Sequence, residues 1–384
     1  MTPSKVYLDH NASAPLMAEA RKAMTRTMAL EGNPSSVHAH GRALAGTIEE
    51  ARKAVAGVAG AEASQTVFTG SASEAITQAI VGGVRHFGLE QVIVSAGEHA
   101  AVSRAAKASG VPVHTIALLS TGEIDLKALE AALSEAGQNN ERVLVAMHWV
   151  NNETGVVQPL KKIEAMVGPT PHFLFVDAVQ AFAKSPMGFA SSAIDMMAIS
   201  SHKIGGPAGV GALLMKPHCN GVCLVPGGGQ EQGRRGGTQS AMLIAGFGAA
   251  SEAFPSSFDQ SQGAGLIGLL EENLRKLCPE LKVFGHDASR IGCVSNFALP
   301  GVKNTTLLMG LDLEGISVST GSACSSGKVS RSPVLEAMGV PEKFADCAIR
   351  ISVGWTTTRS DIECAVTVIS EIYHRQTGRN GKAA

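Results

Sequence analysis

Ser200, Ser201, His202 and Lys203 leave one apolar run together in IDMMAISSHKIGGPAGVG. A lysine there is either a solvated loop charge or an amine held for chemistry, and the glycines after it permit close backbone approach. Asp177 ends a second apolar run, HFLFVDAVQ, with Gln180 three residues on. A carboxylate in that place is either a helix cap or the partner of a buried cation. TGSASEA (69–75) passes from a strand end through a glycine to a helix start, where Ala72 and Ser73 can offer backbone N–H and hydroxyl groups to an anion. It is not a Walker loop, because the lysine of that motif is missing. Glu98-His99 follows QVIVS, and Asn152 follows RVLVAMH in VNNETG. Alone, the first is a structural histidine and the second a turn residue. Cys324 lies among small residues in GSACSSG (321–327), where a thiol is either structural or a nucleophile.

As a set these groups are more specific than any member. A hydroxyl, a histidine and a lysine at one strand end, an acid at the next and an anion cup at a third match the anchoring of a phosphorylated aldehyde. In pyridoxal phosphate enzymes a lysine forms the Schiff base and an acid pairs with the pyridinium nitrogen, which makes the ring an electron sink.

The elements that must position these groups are legible as short apolar runs. QTVFT (65–69), QVIVS (91–95), VPVHTIAL (111–118), RVLVAMH (142–148), HFLFVD (172–177) and IDMMAIS (194–200) alternate with stretches of helical spacing such as Ala72, Ile76, Ala79, Ile80 and Val84. That alternation predicts βαβ units and a mostly parallel sheet covered on both faces. Ligands of such sheets sit at the carboxyl ends of the strands, where every candidate group falls. After about Ala253 the breaker-rich PSSFDQSQGAG leads into LIGLLEENLRKLC and mixed elements, which reads as a second, smaller α+β domain.

The bulk numbers fit a small-molecule enzyme. The 384 residues can bury a large core, and the net charge of −1 gives no global field to draw nucleic acid or an anionic membrane. No signal-like apolar region opens the chain and no run is long enough to span a bilayer, so a soluble cytoplasmic protein is expected. The seven scattered cysteines are expected to be reduced. His218, Cys219 and Cys223 in PHCNGVC lack a second ligand pair, so no metal site is expected.

At these residues the sequence resembles the class V aminotransferase-like family of pyridoxal phosphate enzymes, specifically the cysteine desulfurases of the NifS/IscS type. The resemblance runs through YLDHNASAP (7–15), GNPSSVHAHGR (32–42), EHAAV (98–102), NNETG (151–155), VDAVQ (176–180), SSHKIGGPAGVGAL (200–213), GGGQEQGRRGGT (227–238), STGSACSS (319–326) and IRIS (349–352). It implies the fold type I transferase architecture, with a large cofactor-binding domain around a mostly parallel seven-stranded sheet (16–254). The small α+β domain (1–15 and 255–384) would carry the catalytic-cysteine loop. It further implies pyridoxal 5'-phosphate on Lys203, His99 stacked on the ring, Asp177 at the pyridine nitrogen, and Gln180 and Asn152 near the phenolate or substrate. Ala72, Ser73, Ser200 and His202 would hold the phosphate, and Thr238 would reach the phosphate of the neighbouring subunit in a homodimer. Arg350, with Asn11 close by, would take the substrate carboxylate, for which a planar guanidinium is suited. Cys324 would accept sulfur from L-cysteine as a persulfide, with Lys203 and His99 moving protons. A sulfur-acceptor or iron–sulfur scaffold protein would then receive that sulfur.

The chain departs from the family pattern in places. Asp9-His10-Asn11 stands where two asparagines are more usual, Ser73 replaces a threonine, Gln230 and Gln232 replace a histidine and an arginine, and Trp355 replaces an arginine. Gln230, Gln232 and Trp355 are expected at the entrance or a partner surface. Rival readings are a selenocysteine lyase, another class V aminotransferase or a non-enzymatic sulfur-assembly scaffold; the presence of Lys203 and Asp177 argues against the last.

Overall fold

The computed structural model describes residues 6–320 and 331–378; Cys324 lies outside them. The chain opens with β1 (Val6–Tyr7), and a seven-stranded sheet follows. Its strands are β2 (Thr66–Thr69), β3 (Gln91–Ser95), β4 (Val113–Ile116), β5 (Val143–His148), β6 (Phe173–Asp177), β7 (Met196–Ser200) and β8 (Gly211–Met215). Their spatial order is β2-β8-β7-β6-β5-β3-β4. The run from β7 to β4 is parallel, whereas β8 lies antiparallel to both β7 and β2. The six runs read from the sequence are all strands, the longest of them trimmed to Val113–Ile116. The seventh, GALLM, hides behind the glycines of GGPAGVG, which read as a ligand loop.

Central strands such as VLVAMH and FLFVD are buried along their whole length because helices cover both sheet faces. Leu144, Phe175 and Met196 face the helices within residues 72–108, and Val145, Leu174 and Met197 face the opposite layer. That second layer contains Ala39–Ala59 and Ala241–Ser257, packed along each other and so close that a Cβ on Gly248 would lie 2.6 Å from the Ala51 Cα. The helical spacing read from Ala72 to Val84 is correct, but a π-helical turn, Gln78–Gly82, joins Ala72–Thr77 to Gly83–Phe87.

The breaker-rich segment is no linker. The helix Ala241–Ser257 runs through Pro255, and the next helix, Gln260–Leu277, starts once Asp259 caps the Ser261 N–H. Beyond it β9 (Lys282–Val283), β10 (Val294–Ala298) and β12 (Ala348–Ser352) form an antiparallel sheet, while β11 (Ile316–Ser317) pairs in parallel with β1. The first strand of the chain thus belongs beside its last third, which carries Asp9 and Asn11 to the sheet rim next to Arg350 on β12.

Candidate active site

The carboxyl ends of β2, β3, β5, β6 and β7 open on one cavity of about 470 Å³, a volume within the usual range for a small-molecule site. It is lined by Ala72, Ser73, His99, Asn152, Asp177, Gln180, Ser200, His202 and Lys203 from the large sheet and its loops, by Asn11 from the turn after β1, and by Arg350 from β12. Eleven of the thirteen site residues read from the sequence therefore converge. Thr238 does not: it is exposed on the loop after β8. Cys324 falls outside the described residues.

Lys203 Nζ donates to the carbonyls of Asn11 at 2.8 Å and Ala12 at 2.9 Å. Burial first, then the cations Lys184 and Arg350, push its pKa from 10.5 down to about 7, although Asp177 and Asp9 pull the other way. It is consequently poised to give up its proton near neutrality. His202 is held neutral for similar reasons: burial, then Lys203 and Lys184, bring it to about 4, and its Nδ1 sits 3.3 Å from Ser13 Oγ.

Asp177 is buried at the end of β6, and its Oδ1 accepts the Val179 N–H at 3.0 Å. Burial, with some help from Glu98, raises its proton affinity against the opposing influence of that N–H and of His99 and His148. A cation inside the cavity would favour its charged form. Asp177 caps no helix: one oxygen binds the turn that follows β6, and the residue lines the cavity. His99 is both a cap and a lining residue. Its Nδ1 accepts the Ala101 N–H at 3.1 Å as the N-cap of Ala100–Ala108, which leaves Nε2 as the nitrogen free to carry the ring proton. In VNNETG the turn is made by Asn151, whose Oδ1 accepts from Glu153 and Thr154, so Asn152 is released to the cavity.

Arg350 Nη2 meets Asp9 Oδ1 at 2.7 Å and Nη1 donates to the Asn152 carbonyl at 3.0 Å. Its Nε and the Asn11 Oδ1 are buried, and neither has a partner among the described residues. Because buried polar atoms are normally paired, these two mark where a polar ligand belongs. At the other end of the cavity the helix start at Ala72 and the hydroxyls of Ser73 and Ser200 supply donors for an anion. β8 comes so close to this turn that a Cβ on Gly211 would lie 2.7 Å from the Ala72 nitrogen. An ammonium that readily becomes an amine, an acid across the cavity from it and an anion cup at one end fit pyridoxal 5'-phosphate.

Other groups of the site were not legible in the sequence. Lys184 is buried and donates to Gln180 Oε1 at 3.2 Å, so that the Gln180 Nε2 points at the Asn11 carbonyl, 2.9 Å away. His148 lines the cavity with its Nδ1 at 2.7 Å from Glu98 Oε1. Their only signal was position at a strand end or one turn beyond a candidate.

Some departures are relocated. His10 is buried away from the cavity against Tyr7 and Trp355, and burial, then Lys184, lowers it to about 4. Trp355 is no entrance residue. It stands edge-on to His10 at 5.5 Å and to Phe254 at 5.8 Å, and fills the space that a side chain on Gly205 (φ +79°) would need. Gln230 and Gln232 brace their own loop, accepting from the Gly237 N–H and from Arg234. The cysteines at 219, 223, 278, 293, 347 and 364 are free thiols. Near the amino end of β7, Asp195 rather than Cys223 groups with His218 and Cys219, and a 2.7 Å hydrogen bond joins Asp195 to His218. No helix among the described residues is long and apolar enough to cross a membrane.

A parallel-rich sheet with a lysine, an acid and an anion cup at its carboxyl rim defines an α/β enzyme of the aminotransferase kind, and the class-V aminotransferase family model matches residues 6–364. The chain belongs to that family and, within it, to the cysteine desulfurases of the NifS/IscS type. It is 36% identical to a cysteine desulfurase of Cereibacter sphaeroides over 96% of this chain and 95% of that protein. It is 34% identical to cysteine desulfurase 2 of Trichormus variabilis, over 97% and 94%. Among solved structures, the NifS-like protein from Rickettsia africae superposes with a TM-score of 0.87 at 30% identity, over 96% of this chain and 99% of that one. A structure described as SspA in complex with cysteine superposes with a TM-score of 0.80 at 29% identity, over 91% and 99%.

Proposed function

We propose that the protein is a pyridoxal 5'-phosphate-dependent cysteine desulfurase that converts L-cysteine to L-alanine and moves the sulfur to Cys324 as a persulfide. The observation that carries this reading is the neutralisable Lys203 facing the same cavity as buried Asp177 and Arg350. Lys203 would hold the cofactor, Asp177 its ring nitrogen, His99 its face, and Ala72, Ser73, Ser200 and His202 its phosphate. When bound, that cofactor supplies an electron sink for the carbanion left at the substrate Cα.

The rest falls to the protein. Arg350 pairs with the substrate carboxylate through the Nε that has no partner among the described residues, and Asn11 and Asn152 border the same place. Lys203, released as a free amine, takes the α-proton; a positioned base of this kind contributes about 10²–10⁴-fold. His99 can exchange a proton through Nε2 and so help Cys324 reach the thiolate form that a nucleophile needs. The Cys324 sulfur then attacks the substrate sulfur. The new S–S bond forms as the Cβ–S bond breaks, its electron pair passes to the carbon side, and protonation of that carbon completes alanine. Cysteine and one protein thiol become alanine and one protein persulfide, with no external oxidant. A sulfur-acceptor or iron–sulfur scaffold protein would discharge the persulfide.

Cys324→Ser is the test. The variant should keep the visible absorbance of the bound cofactor and lose both persulfide and alanine formation from cysteine. Wild-type sulfide release by that variant would overturn the role of Cys324, and alanine made by the unsubstituted protein from selenocysteine but not from cysteine would turn the reading to a selenocysteine lyase.

A further inference from the structure

Behind Asp177 lies a buried hydrogen-bond chain that the mechanism above does not use. His148 occupies the register position beside Asp177 on the neighbouring strand, so the two side chains leave the same face of the sheet and line the same cavity. Glu98 Oε1 accepts both the backbone N–H of His148, at 2.9 Å, and a hydrogen bond from its ring Nδ1, at 2.7 Å. On the far side of the ring, Gln158 Nε2 lies 3.0 Å from His148 Nε2. All three side chains are buried.

The Gln158 amide has one possible orientation. Its Oε1 accepts the Ile124 N–H at 2.8 Å, and its Nε2 also donates to the Gly122 carbonyl at 2.9 Å. Reversed, it would set oxygen against oxygen at Gly122 and N–H against N–H at Ile124. Gln158 therefore presents a donor to His148 Nε2, which must accept. The single ring proton is left on Nδ1, facing Glu98.

This matters because of the charges nearby. Glu98, His99 and His148 act on Asp177, and Asp177 also interacts with Lys203 across the cavity. Burial opposes a second proton on His148, but Glu98 and Asp177 outweigh it and raise its pKa above the ordinary 6.5, so without an opposing contact the ring would favour the imidazolium. An imidazolium there would pair with Asp177 from the sheet side and spend the charge that a ring nitrogen in the cavity requires. We propose that Gln158 is a positioning residue that holds His148 as the neutral Nδ1–H imidazole, so that the Asp177 carboxylate keeps its charge for the cofactor. The identity of the group opposite Asp177 rests on the pyridoxal reading; the state of His148 does not.

The experiment uses the full-length protein with and without added pyridoxal 5'-phosphate. Ring ¹⁵N signals, with His148 assigned by their loss in His148→Gln, distinguish a neutral ring from an imidazolium. The pH midpoint of the visible cofactor band is read on the same samples. Wild type should show a neutral His148 at pH 7. Gln158→Glu, which offers an acceptor, and Gln158→Met, which removes the donor without adding a buried charge, should both show an imidazolium. Both should also shift the band midpoint by about one pH unit or more. A charged His148 in wild type, a neutral one in both variants, or an unmoved midpoint beside a charged ring would each overturn the proposal. A wild type that shows no visible band would overturn the cofactor reading instead, and the imidazole signals would still decide the lock.

Discussion

The proton on Lys203 links the chemistry to stability. Its pKa falls from 10.5 unfolded to about 7 in the fold, first because of burial and then because of Lys184 and Arg350. Between those two values the unfolded chain binds the extra proton and the native chain does not, so stability increases with pH across the window. The gain is complete above the unfolded value and is lost as the pH falls toward 7. Thermal unfolding of the cofactor-free protein should therefore give a melting temperature that rises from pH 7 to 10. In Lys203→Met that increment should shrink to the part that buried Lys184, also lowered by burial, still contributes, and the variant should be the more stable of the two at pH 7. Parallel pH profiles would contradict the assignment. A lysine at a strand end was plain in the sequence; its altered proton affinity was not, because Lys184 and Arg350 come near it only in the fold.

Among the elements, β8 decides the shape of the anion cup. The Cβ missing from Gly211 would meet only backbone, at Ala72, Ser71 and Ile199, within 2.7–2.9 Å, and backbone cannot swing aside as a flexible side chain can. Gly211→Ala should force β8 away from the phosphate turn at a cost of about 1–3 kcal/mol. Titrating the apoprotein with pyridoxal 5'-phosphate and following the visible band should show affinity weakened by about tenfold or more. Wild-type affinity in this variant would show that the turn does not depend on β8. Five of the six strands read from the sequence were legible because a strand buried on both faces is mostly apolar, whereas the half-exposed edge strand β4 was legible by its β-branched residues. β8 is equally apolar and as long as β3, β6 and β7, but it is preceded by glycines, which gave it the texture of a loop.

The loop after β8 makes a claim about the whole molecule. Glu231 is clamped by Arg52 at 2.6 and 2.9 Å, and Arg235 by Glu74 at 2.7 Å, so a well-anchored segment carries Thr238 exposed at its end. That exposure suits a residue whose partner is another subunit. Sedimentation should give twice the chain mass, and Thr238→Val should weaken cofactor binding about tenfold, the value of one hydrogen bond to a charged group. A monomer that binds cofactor fully would overturn the shared site.

The sequence by itself determined the family, the parallel-rich sheet and eleven of the groups at its rim, since apolar runs and their flanking polar residues are local properties of the chain. Tertiary structure decided how those groups stand. It set Asp9 against Arg350 across 341 positions, turned Gln180 toward Asn11 through Lys184, and built the Glu98–His148–Gln158 chain behind Asp177. Proton affinity and amide orientation depend on desolvation and on neighbours in space, and neither exists until the strands are assembled.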